Sequence, residues 1–281
     1  MPIANLSFVT THTYNYPPFG PQSPISQSSM TVCKVDGDPM LAFMTQTQFE
    51  DEVVYLQLGC DQELFRHDTP AGHNQISGMA YDPIREIIWC GQGYSNADEI
   101  IAFDPSTGQV VDTVDISGSN TIDPSAGSGL GTNGMLMTRS GYNSIELRLM
   151  NGTLLGVKQF PTQMGLSVTG MTASPFSWTC LHAADHKISV LNLFGEVIAE
   201  CPGVGAIPGA GYANGMQAIA FDYVSDMNFH PQVFENCGIG AVGTIHHPDT
   251  PWSPEPWLMR HRIYIANNSD QTIYAGYFTA N

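Results

Sequence analysis

Ile76-Ser-Gly-Met-Ala-Tyr-Asp-Pro-Ile-Arg-Glu-Ile-Ile-Trp-Cys90 and, after a loop, Glu99-Ile-Ile-Ala-Phe-Asp-Pro-Ser-Thr-Gly-Gln-Val-Val-Asp-Thr-Val114 decide the fold of this 281-residue chain. Four short apolar runs, 76–81, 86–90, 99–103 and 109–114, carry the Ile, Val and aromatic residues that suit a pleated surface. They are separated by Asp82-Pro83, a loop through Ser95-Asn96-Ala97, and Asp104-Pro-Ser-Thr-Gly108. Pro presets φ, Asp hydrogen-bonds its own backbone, and Gly accepts a positive φ, so these breaks reverse the chain tightly. Four antiparallel strands of this length make one blade of a β-propeller.

The pattern recurs. Downstream, 167–171, 177–181, 187–193 and 196–200 repeat it, with a turn at Phe194-Gly195, and Cys90 and Cys180 fall at the same place in their second strands. A third copy has 143–149, an Asn151-Gly152 pair that reads as a type I′ hairpin, and 154–160. An earlier copy runs 40–43, 53–58 and 63–66, with a turn at Gly59-Cys60-Asp61. A small residue followed by Met marks each unit: Ser29-Met30, Gly78-Met79, Gly134-Met135, Gly170-Met171 and Gly215-Met216. In the third copy Met135 reads equally as part of the second strand, with 127–131 as the inner one.

Five marks predict five blades. The last unit, 215–221, 262–266 and 272–278, is one outer strand short, and the strand-like segment 6–14 precedes the first mark. Pairing this N-terminal strand into the C-terminal blade closes the ring and removes exposed edges. The expected fold is therefore all-β, a single five-bladed domain over 1–281, with six blades or a β-sandwich as alternatives. Residues 223–260 form an insertion in the last blade, where a short turn would suffice.

Through Tyr81-Asp82-Pro83, Ile88-Trp89 and Phe103-Asp104-Pro105-Ser106-Thr107-Gly108, the chain resembles soluble β-propellers of the NHL, YVTN and lyase-like kind. The likeness covers about a third of the chain. It implies architecture, because such folds host hydrolases, lyases, cyclases, lectins and scaffolds. Five-bladed members include a bacterial and plant type of glutaminyl cyclase, arabinanase-like glycosidases and tachylectin-like sugar binders.

Charge narrows the function. Net charge is −17 with 12% charged residues, and Lys34, Lys158 and Lys187 are the only lysines. Such a chain offers no basic footprint for nucleic acid or an anionic membrane. The N-terminus lacks a basic, apolar signal peptide, and no run is long enough to span a bilayer, so the expectation is synthesis in the cytoplasm without membrane insertion. Six dispersed cysteines with no CxxC pair read as buried free thiols. Low charge density with abundant Ser, Thr, Asn and Gly is similar to phage or virion surface proteins, which suggests a place in a larger assembly or a homo-oligomer.

Residues just before each inner strand line the expected channel mouth: Gln27 and Ser28, His73, Asn74 and Gln75, Thr132 and Asn133, Ser167 and Thr169, and Asn214. None is acidic, whereas a glycosidase needs two carboxylates. Amides and hydroxyls suit a neutral glycan or a partner's backbone, which makes Gln27, Asn74, Asn133, Thr169 and Asn214 candidate ligand-binding residues. His73 has catalytic potential, and under an enzyme reading it serves a lyase or cyclase. His182, Asp185 and His186 lie in a loop without the helix that an i, i+4 pair needs, so no metal or other cofactor is expected. In the insertion, Trp252 and Trp257 with His246 and His247 are candidate partner-binding residues, because aromatic side chains in a Pro-stiffened loop suit an interface. A recognition or attachment scaffold is the expected function.

Overall fold

The computed structural model describes residues 3–15, 25–46, 51–58, 62–68, 76–82, 85–92, 99–116, 129–131, 135–140, 144–149, 151–159, 168–173, 178–182, 187–191, 196–202, 216–222, 262–267 and 272–281. Among these there are strands and no helix. After β1 (Ala4–Asn15), three antiparallel sheets follow in chain order. The first holds β2 (Ile25–Val35), β3 (Asp38–Gln46), β4 (Asp51–Gln57) and β5 (Glu63–Asp68). The second holds β6 (Ile76–Asp82), β7 (Ile87–Gln92), β8 (Glu99–Phe103) and β9 (Val110–Asp115). The third holds β10 (Gly129–Gly131), β11 (Met135–Ser140), β12 (Ser144–Leu149) and β13 (Leu154–Gln159).

The remaining strands are β14 (Val168–Ala173), β15 (Trp178–His182), β16 (Lys187–Leu191), β17 (Val197–Pro202), β18 (Met216–Phe221), β19 (Ile263–Asn267) and β20 (Thr272–Ala280). They join through β1 into one eight-stranded sheet of order β14-β15-β16-β17-β1-β20-β19-β18. The N-terminal strand lies antiparallel to β20 from Leu6 opposite Ala280 to Asn15 opposite Thr272, and its first residues, Ala4 and Asn5, run parallel to Ala199 and Glu200 of β17. The last group thus receives its fourth strand from the other end of the chain. Asn281 N–H donates to the Asn5 carbonyl at 3.1 Å, and Ser7 Oγ donates to Asn281 Oδ1 at 2.7 Å.

Burial falls from the inner strands outward. Met40 to Thr45 of β3, Ile100 to Phe103 of β8 and all of β19 are buried without alternation, because these strands are covered on both faces. Along β9, by contrast, Val114 is the buried residue. Met30 and Met79 lie in the main core with Tyr55, Phe43 and Phe278, so these marker methionines are packing residues. The two cysteine positions are indeed equivalent: Met79 pairs with Cys90 as Met171 pairs with Cys180. Burial raises the thiols of Cys33, Cys90 and Cys201 above their ordinary range, Cys201 to about 12, as inert thiols require.

One open local reading is decided and another changes. Met135 opens β11, and Gly129–Gly131 is the inner strand, so the third Gly-Met pair marks a second strand. Asn151-Gly152 is not a type I′ turn: Gly152 takes φ 86° while Asn151 does not go positive, and Asn151 Oδ1 accepts the Thr153 N–H at 3.1 Å. The two-residue turn with both φ positive is Asp36 (53°) and Gly37 (88°) between β2 and β3, as an Asp-Gly pair favours.

The Asp104 turn behaves as its sequence implies. Asp104 Oδ1 accepts the Ser106 N–H (2.7 Å), the Ser106 hydroxyl (2.6 Å) and the Thr107 N–H (3.2 Å), and Gly108 takes φ 69°. Burial opposes the Asp104 charge, but Ser106, Thr107 and the nearby His67 outweigh it and hold the carboxyl below its ordinary value.

These turns also join neighbouring sheets. A Cβ on Gly108 would lie 2.8 Å from His67 Nδ1 at the end of β5, and one on Gly152 would lie 2.2 Å from the Asp115 carbonyl at the end of β9. Glycine is therefore required twice at each turn, for its φ and for the close approach.

Candidate functional site

The first strands of the groups converge. β2 lies against β6 and β18, β10 against β6 and β14, and β14 against β18, while β14 also reaches across to β2 and β6. One cross-group bond is explicit: Phe221 N–H of β18 donates to Thr172 Oγ1 of β14 at 3.2 Å. Of the expected mouth residues, His73 and Asn74 precede the start of β6 and Asn214 that of β18.

The starts are irregular in a repeated way. Against β7, Gly78 is an extra residue with φ 71°; against β15 the extra residue is Thr169; against β19 it is Gln217. In β2 the ladder jumps from Ile25 to Met30 while the partner advances from Thr45 to Phe43, which sets 26–29 outside regular pairing. A bulge interrupts the ladder and re-aims side chains, and bulges gather at barrel rims and active sites. Two candidate ligand residues sit in them, Gln27 within the β2 irregularity and Thr169 as the extra residue of β14. The side chains of Gln27 and Thr169, and His73, Asn74, Asn133 and Asn214 altogether, lie outside the described residues.

The insertion, with His246, His247, Trp252 and Trp257, also lies outside them, but its root is described. It leaves from Asp222 at the end of β18 and returns at Arg262, where the Asp222 N–H donates to the Arg262 carbonyl at 2.8 Å. The root is thus at the far end of β18 from Asn214. The root of the insertion and the expected mouth residue Asn214 flank opposite ends of β18 in the chain.

A polar cluster holds this root. Asp222 and Tyr264 are buried, and the Tyr14 ring of β1 lies 6.2 Å from that of Tyr264. Burial and then the Asp222 carboxylate push the Tyr264 hydroxyl above its ordinary range, against the opposing charge of Arg262. The Arg262 guanidinium stacks 5.8 Å from the Tyr277 ring centroid. The Arg262 guanidinium thus lies beside the hydroxyls of both Tyr264 and Tyr277. Sequence reasoning missed this cluster because its members come from β1, β19 and β20 and share no local motif.

Other described acids serve local structure. Asp82 accepts the Arg85 N–H in the β6–β7 turn, Asp104 organises its own turn, and Glu146 is buried against Arg148 at 2.8 Å in β12.

No protein-family model matches the sequence, and no curated protein matches it significantly. Among solved structures, glutaminyl cyclase from Myxococcus xanthus is similar over 100% of both chains, with a TM-score of 0.63 and 12% identity. BamB from Moraxella catarrhalis matches 88% of this chain and 57% of its own, with a TM-score of 0.38 and 10% identity. At such identities the likeness speaks to fold alone, and it agrees with the strands described above: the chain has an all-β, propeller-like architecture.

Proposed function

We propose that the chain is a closed five-bladed β-propeller acting as a non-enzymatic recognition and attachment scaffold, a surface component of a virion or similar assembly. Its axial mouth, around Gln27, Asn74, Asn133, Thr169 and Asn214, takes a neutral glycan or the backbone of a partner protein. Closure is supported by β18 lying against both β14 and β2, and by β1 linking β17 to β20. The observation that carries recognition is the bulge at the start of each of β2, β6, β14 and β18, close in sequence to the expected mouth residues. A bulge re-aims side chains at a strand end, and neutral amides and hydroxyls there can both donate to and accept from an uncharged polar ligand.

The insertion serves the second task. Rooted at the opposite end, Trp252 and Trp257 present apolar area to the assembly partner while the mouth stays open to ligand.

The test is a glycan array read with wild type and Asn133→Ala/Asn214→Ala. Two neutral hydrogen bonds lost should weaken the strongest glycan signal by at least about tenfold. An unchanged array profile contradicts the mouth. Turnover of glutaminyl peptides that His73→Ala abolishes would instead favour a cyclase.

A further inference from the structure

The sequence holds three Asn-Gly pairs, at Asn133, Asn151 and Asn214, and Asn151-Gly152, in the turn between β12 and β13, is the one whose structure is described. An Asn-Gly pair is chemically labile, because glycine has no Cβ to hinder its own nitrogen from closing on the side-chain carbonyl carbon of the Asn. The fold allows no safer neighbour here. Gly152 takes φ 86°, and a Cβ on it would run into the Asp115 carbonyl at the end of β9, so glycine is required and its lability comes with it.

Both reacting groups are engaged elsewhere in the folded turn. The Gly152 N–H donates to the Leu149 carbonyl at 2.9 Å, and Asn151 Oδ1 accepts the Thr153 N–H at 3.1 Å. Two further bonds close the turn: the Leu149 N–H donates to the Thr153 carbonyl at 2.9 Å, and Arg148 Nη1 donates to the Gly152 carbonyl at 2.7 Å. Arg148 is itself buried and held by Glu146 at 2.8 Å. Asn151 is exposed whereas Gly152 is buried, so water reaches the amide while the nucleophile stays tied down.

We propose that Asn151 is a concealed self-modification site, converted to aspartate or isoaspartate when the β12–β13 turn opens. On opening, the Gly152 nitrogen gives its proton to solvent base and attacks Asn151 Cγ; the Cγ–Nδ2 bond breaks and Nδ2 leaves as ammonia. Water then opens the cyclic imide at either carbonyl, so the balance is one water consumed and one ammonia released. The isoaspartyl product routes the main chain through the side-chain methylene and adds a backbone atom ahead of Gly152. A turn pressed against Asp115 has no room for that atom, so conversion releases the hairpin from β9 in one direction only. The fold thus sets the rate, since reaction follows the population of the open turn.

Peptide mass spectrometry of the full chain, incubated folded and in guanidinium chloride in the same mildly alkaline buffer, tests this. Four bonds lost together on opening should make Asn151 convert at least about a hundredfold more slowly in the folded chain. Amide hydrogen exchange should show the Gly152 and Thr153 N–H groups protected, and a chain converted to isoaspartate while denatured should not regain that protection on refolding. Conversion of folded Asn151 at the denatured rate overturns the proposal. Slow conversion with a freely exchanging Gly152 N–H overturns it too, as does an isoaspartyl chain whose turn reforms.

Discussion

At the outer edge of β17, Ile198 is buried and the strand continues into a short parallel ladder with β1; at the outer edge of β13, the equivalent Leu155 stands exposed and Gly156 faces open space. The local backbone device is the same, one extra residue at the second position of a fourth strand. What differs is covering. The chain uses its own N-terminus and the Lys187–Glu200 ion pair at β17, ion pairs at β5 and β9, and neither at β13 among the described residues. The outer edges are thus managed individually.

The largest break in this comparison comes from uncovering β17. Removing residues 3–15 takes away the buried Leu6 and Tyr14 and the whole ladder with β20. Each buried side chain alone is worth about 2–5 kcal/mol, against a total stability of about 5–15. The expected outcome is loss of the cooperative thermal transition by circular dichroism. A truncated chain melting within a few degrees of wild type contradicts the role given to β1.

Next is the anchoring of β13. Glu146→Ala leaves Arg148 buried without its partner, although Arg148 also donates to the Gly152 carbonyl at 2.7 Å. Chemical denaturation should show a loss of about 3–5 kcal/mol. A loss well below 1 kcal/mol would mean the hairpin is held by other contacts.

A matched pair of glycines separates close approach from φ alone. Gly152→Ala meets both a positive φ and the Asp115 carbonyl, whereas Gly37→Ala has φ 88° and open space. The expected costs are about 3 kcal/mol and about 1 kcal/mol. Equal costs would show that the turn does not press on β9.

The smallest effect is electrostatic. Because the folded Asp104 carboxyl lies below its unfolded value, its contribution is present above about pH 4 and is lost as pH falls through the folded value. Asp104→Asn should flatten the acid limb of the stability profile by a few tenths of a kcal/mol. A mutant profile parallel to wild type down to low pH contradicts this reading.

Much of the architecture was legible in sequence where side-chain pattern and turn chemistry agree. The unit from Ile76 to Val114 reads correctly because Asp-Pro and Gly108 bound strands with few polar interruptions, and the Cys90 and Cys180 registers follow from that. The missing outer strand of the last group was legible as a deficit at one terminus and a surplus at the other. Register irregularities were not. Gly78, Thr169, Leu155 and Ile198 become extra residues only in relation to a partner strand, so nothing in the local sequence declares them. The type I′ turn expected at Asn151-Gly152 is absent there, where the turn packs on Asp115, and both φ values are positive instead at Asp36-Gly37. Candidate mouth residues could be placed at strand starts, and Gln27 and Thr169 do fall in bulges. The Asp222, Tyr264 and Tyr14 cluster could not be anticipated, since it assembles only once β1 has crossed to β20.

Closure through β1 is most directly tested by Asn5→Cys/Glu200→Cys, which places two thiols on paired residues of β1 and β17. Neighbouring strands hold Cα atoms within disulfide range. Mild oxidation should give an intramolecular crosslink between residues 5 and 200, seen by peptide mass spectrometry, and a raised melting temperature. A folded double variant whose two introduced thiols stay free under the same oxidation would contradict closure of the propeller by its N-terminal strand.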